Sequence, residues 1–79
     1  MKILIKYYAK YRDSTGKREE ILEVDEMNVR ELLGFLRNRY PKLSGDKTSL
    51  IALNNRFGKE EVQLSDGDTV SVFPPVSGG

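Results

Sequence analysis

Neither cysteine nor histidine occurs among the 79 residues. Without cysteine there are no disulfides, thiolate metal sites or thiol nucleophiles, and without histidine the usual general base near neutral pH is missing. Most enzyme classes thereby lose their reacting groups. Charge of one sign is also lacking: 13 Lys+Arg against 12 Asp+Glu leave a net charge of +1. The strongly basic excess of a chain that binds nucleic acid through counterion release is not there. No apolar run approaches the roughly 20 residues of a membrane span, and the start MKILIKYYAKYR carries no cleavage pattern after its short apolar stretch. These absences predict a soluble cytoplasmic protein without nucleic-acid or membrane partners. The length admits one domain with one modest core, since a chain of this size buries about 60% of its unfolded surface.

What is present reads as short alternating elements. Lys2 to Ala9 predicts a strand with Ile3, Ile5 and Tyr7 on one face and Leu4, Lys6 and Tyr8 on the other. A turn over Asp13-Ser14-Thr15-Gly16 leads to a second strand, Glu19 to Val24, and so to a hairpin. Asn28-Val29-Arg30-Glu31 has the form of a capping box, in which Asn28 accepts from the Glu31 amide and Glu31 reaches back to the Asn28 amide. The helix behind it places Val29, Leu32, Leu33, Leu36 and Tyr40 on one stripe, and Pro41 ends it. Leu50 to Leu53 predicts a third strand closed by Asn54-Asn55, Phe57 to Val62 a brief edge strand, and Thr69 to Phe73 a last strand. A hairpin, one crossing helix and a returning strand pack as an α+β mixed sheet of four to five strands with the helix on one face. That order is the ubiquitin-like β-grasp, its first and last strands parallel at the centre.

The side chains offer little chemistry. Asp66 and Asp68 flank Gly67 and read as turn formers rather than a metal or acid/base pair, and no metal site is expected. Glu19-Glu20 and Glu60-Glu61 read as solvated faces. Lys10, Lys17 and Lys59 lack the glycine-rich loop that cradles a phosphate. The aromatics are more informative. If Ile3, Ile5, Val70 and Val72 face the helix, alternation sends Tyr8 and Phe73 to the opposite face on neighbouring strands, with Phe57 able to complete a docking patch.

The remaining candidate is the end of the sequence, FPPVSGG. The expected division is a domain over 1–73 and an extended tail over 74–79. Pro74 and Pro75 each hold φ near −65° and favour an extended path, so six residues at about 3.1 Å each project roughly 19 Å. Val76, Ser77 and Gly78 then thread the tail, and the two glycines pass a slot that would stop a Cβ. At its tip the carboxyl of Gly79 is an anion at neutral pH and a poor acceptor until activated. Adenylation by ATP supplies a leaving group, after which a sulfide or persulfide gives a thiocarboxylate and an amine gives an isopeptide bond. Either route needs a separate enzyme, so the chain is not an enzyme by itself, and it binds no cofactor of its own.

Over nearly its full length the sequence resembles the molybdopterin synthase small-subunit family of sulfur carriers. The match is carried by Tyr7-Tyr8-Ala9 with Arg12, by Gly16, the central helix and Leu53-Asn54, by Leu64-x-Asp66-Gly67-Asp68-x-Val70, and by Phe73-Pro74-Pro75-Val76-x-Gly78-Gly79. A tyrosine pair stands where phenylalanine is more usual, which adds a polar rim to the contact. The resemblance implies that Gly79 is adenylated and thiocarboxylated by a ubiquitin-activating-like adenylyltransferase with a sulfur donor protein. It implies that the tail enters the synthase large subunit and gives sulfur to cyclic pyranopterin monophosphate, building the dithiolene that binds molybdenum or tungsten. Acid/base residues would belong to the large subunit, and Tyr8, Phe57 and Phe73 would dock against it. The competing expectations are a protein modifier joined through Gly79 to lysines, and a sulfur carrier for tRNA thiolation.

Overall fold

The computed structural model describes residues 1–44 and 50–74. Chain order is β1 (Lys2–Tyr7), α1 (Lys10–Thr15), β2 (Glu19–Glu23), α2 (Val29–Arg39), α3 (Pro41–Ser44), β3 (Leu50–Leu53), β4 (Arg56–Phe57) and β5 (Thr69–Phe73). The strands form one sheet in the order β2-β1-β5-β3-β4. β1 and β5 run parallel at its centre, and β2, β3 and β4 join antiparallel. This is the ubiquitin-like β-grasp.

Alternation decides which side chains enter the core. Ile3, Ile5 and Tyr7 of β1, Val70 and Val72 of β5, and Ile51 and Leu53 of β3 are buried in one cluster with Val29, Leu32, Leu33 and Leu36 of α2. Each fully buried Leu or Ile of this set contributes about 1.5–3 kcal/mol relative to exposure. α2 begins as its sequence dictates. The Glu31 amide donates to Asn28 Oδ1 at 2.8 Å, and the Asn28 amide donates to Glu31 Oε1 at 3.0 Å. Both bonds satisfy amides that a helix start otherwise leaves unpaired.

The structure departs from the expected elements in several places. Asp13 to Gly16 is not a simple turn but the end of α1, whose Gly16, at φ 75°, closes the helix by donating its amide to the Arg12 carbonyl at 2.8 Å. Tyr11, 1% exposed, anchors that helix in the core, and β1 accordingly stops at Tyr7 instead of Ala9. Pro41 ends α2 and also opens the short α3, because its missing N–H is harmless in a first turn. Phe57 to Val62 holds a strand only over Arg56–Phe57. Gly58, at φ 75°, turns the chain away, and the Glu60 and Val62 carbonyls accept from the Arg30 and Val29 amides instead of a strand partner.

The Asp66-Gly67-Asp68 turn ties the starts of β1 and β5 together. Asp66 Oδ1 accepts from the Lys2 amide at 2.7 Å, Asp68 Oδ2 from the Ser65 amide at 2.8 Å, and Asp68 Oδ1 from Asn54 Nδ2 at 3.1 Å. Gly67, at φ 87°, takes the left-handed position between them.

Candidate functional site

The face of the sheet opposite α2 is lined, by register, with Leu4 and Lys6 along β1 and Tyr8 just beyond its end, Ser71 and Phe73 along β5, Leu50 and Ala52 along β3, and Phe57 on β4. Its outstanding feature is a row of three rings. Tyr8 stacks on Phe73 with centroids 4.4 Å apart and planes within 13°, and Phe57 meets Phe73 at 5.7 Å and 46°. The parallel β1–β5 register makes the stack: the Tyr8 amide donates to the Val72 carbonyl at 3.1 Å, which sets Tyr8 beside Phe73. Phe57 arrives because Asn54 and Asn55, at φ 49° and 69°, fold β4 back onto β3 opposite Ala52.

Small residues lie beneath the rings. Ala52 and Ser71, a cross-strand pair on this same face, are 2% and 3% exposed. Leu50, the cross-strand partner of Phe73, extends the patch and is exposed, as is Phe57 at 58%. Leu50 was legible in the alternation of β3 with β5, where it shares the face of Phe73, yet the strand pattern alone marks it only as part of an apolar run. The Arg12 guanidinium stands 5.7 Å from the Tyr8 ring centre while its Nε donates to the Tyr7 carbonyl at 3.1 Å. That gives the apolar patch a cationic margin.

Tyr8, Phe57 and Phe73, expected to converge, are thus brought together at the end of β5, from which the chain leaves through Pro74. Pro75, Val76, Ser77, Gly78 and Gly79 lie outside the described residues. Among the described residues no cluster of three or more Asp and Glu side chains is placed to hold a metal ion. Nor does any described helix have the length and apolarity to cross a membrane.

Glu20 corrects the reading of Glu19-Glu20 as solvated. Its side chain is 8% exposed. Oε2 accepts from Tyr7 Oη at 2.7 Å and Tyr40 Oη at 2.5 Å, and Oε1 accepts from Lys17 Nζ at 3.1 Å. Burial alone would raise the Glu20 pKa, but the three donors outweigh it and hold the carboxyl below its ordinary value. Burial, and next the Glu20 carboxylate, push the Tyr7 phenol upward. These polar groups are turned on one another, so the cluster joins β1, β2 and the end of α2 rather than addressing a substrate. Glu60 and Glu61, by contrast, are exposed and pair with Arg30 in the loop over the start of α2.

A comparison with protein families matches residues 5–79 to the ThiS family. The chain belongs to the ThiS family. Among the relatives of this chain, the molybdopterin synthase sulfur carrier subunit of Chlamydomonas reinhardtii is 36% identical, with both chains covered in full. Small archaeal modifier protein 3 of Haloferax volcanii is 33% identical, again over the whole of both. The solution structure of the Haloferax volcanii HVO 2177 protein superposes with a TM-score of 0.88 at 29% identity, covering 100% of this chain and 87% of that one. The resemblance to the molybdopterin synthase small subunit therefore extends from the motifs to the whole chain.

Proposed function

We propose that this ThiS-family chain is a sulfur carrier for molybdopterin synthesis. The observation that carries the reading is the Tyr8–Phe73–Phe57 row at the strand end where a Phe-Pro-Pro-Val-Ser-Gly-Gly tail begins, in a chain similar end to end to a molybdopterin synthase sulfur carrier subunit. The Gly79 carboxylate attacks the α-phosphorus of ATP and releases pyrophosphate, giving an acyl-adenylate on a separate ubiquitin-activating-like enzyme. The persulfide of a donor protein then attacks the acyl carbon and displaces AMP, and a thiol cleaves the resulting acyl disulfide on its donor side, leaving a thiocarboxylate on Gly79 and a disulfide on the donor. The three rings seat the domain on the synthase large subunit while Pro74 and Pro75 aim the tail into its active site. There the thiocarboxylate sulfur bonds to a carbon of cyclic pyranopterin monophosphate in place of an oxygen substituent, and water hydrolyses the acyl–sulfur bond, leaving the sulfur on the substrate and returning Gly79 as a carboxylate. The chain supplies the sulfur and the address, and the large subunit supplies the acid/base groups.

A second reading has its own support in the likeness to small archaeal modifier protein 3. In it the activated Gly79 meets a lysine amine and forms an isopeptide bond. Intact mass after incubation with a cognate activating enzyme, ATP and a sulfur donor separates the two. A gain equal to sulfur minus oxygen supports the carrier. An unchanged mass in that assay, together with lysine-linked adducts of the chain in cells, would replace it with the modifier.

A further inference from the structure

The edge of the sheet farthest from Phe57 is formed by β2, and its exposed residues have a pattern that neither the tail nor the aromatic row uses. The Tyr7 amide bonds the Arg18 carbonyl at 2.8 Å and the Val24 amide bonds the Met1 carbonyl at 2.9 Å. Antiparallel alternation between those two points makes Ile3·Leu22 and Ile5·Glu20 the hydrogen-bonded pairs of the ladder. The N–H and C=O groups of Glu19, Ile21 and Glu23 therefore point out of the sheet, and among the described residues no strand pairs with them. Their side chains share the face opposite α2, and Ile21 is 68% exposed between two exposed carboxylates.

The strand that already pairs with this pattern shows what complements it. On the same face β1 sets Lys6, Leu4 and Lys2 against Glu19, Ile21 and Glu23. We propose that β2 is a docking edge for an extended segment of a partner protein with the pattern basic–x–apolar–x–basic. Such a segment adds a sixth strand, taking main-chain hydrogen bonds from the open edge and charge and apolar matching from alternate side chains. Because Glu19 and Glu23 lie symmetrically about Ile21, either strand direction gives the same complementarity. A second copy of this chain is not the occupant. Antiparallel pairing of two β2 strands centred on Ile21 sets Glu19 opposite Glu23 twice, and like charges directly opposite destabilise a ladder. The edge holds whether or not Gly79 is activated, since it involves neither the tail nor the aromatic row.

The test uses the whole chain and two capped peptides, Thr-Lys-Thr-Leu-Thr-Lys-Thr and Thr-Glu-Thr-Leu-Thr-Glu-Thr, followed by amide NMR and hydrogen exchange. With the lysine peptide at ten times its half-saturation concentration, exchange of the Glu19, Ile21 and Glu23 amides should slow about tenfold. The glutamate peptide should leave them unchanged, and added salt should weaken the lysine peptide's binding. The double variant Glu19→Lys with Glu23→Lys, checked for an unaltered amide spectrum elsewhere, should reverse the preference. Equal response to both peptides, changes confined to other strands, or an unreversed preference in the double variant would each overturn the proposal.

Discussion

Tyr8 and Phe73 lie face to face at 4.4 Å at the end of the parallel β1–β5 strand pair, 65 positions apart in sequence. Phe73 touches Tyr8 on one side and Phe57 on the other, and it is the last strand residue before Pro74. It therefore links the patch to the tail.

Phe73→Ala should remove the middle ring and leave the core, because Phe73 faces away from the cluster around α2. In a binding assay with a cognate synthase large subunit, affinity should fall by about 2 kcal/mol, roughly thirtyfold. Circular dichroism should be unchanged. An unaltered affinity would show that the row is not the anchor.

Glu20 and Tyr7 make stability depend on pH at both ends. The folded Glu20 pKa lies below its ordinary value, so its contribution is present above the carboxylate range and is lost as pH falls through the lowered value. Tyr7 is raised, so its contribution is present below the ordinary phenol range and declines as pH rises beyond about 10. Urea unfolding across pH should show a plateau between these limits. Glu20→Gln should flatten the acid limb and Tyr7→Phe the alkaline one. Glu20→Ala should cost about 2 kcal/mol at neutral pH, since it leaves two tyrosine hydroxyls without their acceptor.

Ala9 sits at φ 52° and ψ −129°, a region that a residue with a Cβ seldom occupies. The bend it makes turns the chain from β1 into α1. Strain of this kind costs about 1–3 kcal/mol, against which glycine would add unfolded-state freedom worth about 0.5–1 kcal/mol. Ala9→Gly should therefore stabilise the domain by about 1 kcal/mol and raise Tm by roughly 4–8 °C in a thermal melt. A lowered Tm would show that the Ala9 methyl makes a contact worth more than the strain.

How much of this was legible in the sequence varies with the range of the interaction. The capping box of α2, the inward set Ile3, Ile5 and Tyr7, the Asp66-Gly67-Asp68 turn and the apolar alternation of β5 are local, and each depends on residues within a few positions of one another. They determined the β-grasp and, through alternation, which aromatics leave the core. α1 was hidden because its single buried residue, Tyr11, gives no periodicity over six residues, and its Gly16 serves a turn as readily as a helix end. Glu20 was hidden because two adjacent glutamates look alike until Tyr40, twenty residues away, folds over one of them. Alternation already sent Tyr8, Phe73 and Phe57 towards one patch, but the face-to-face geometry of the stack and the open edge along Glu19, Ile21 and Glu23 were decided by the tertiary structure. Strand order and register are set by the burial of many residues at once, and no single stretch of sequence carries them.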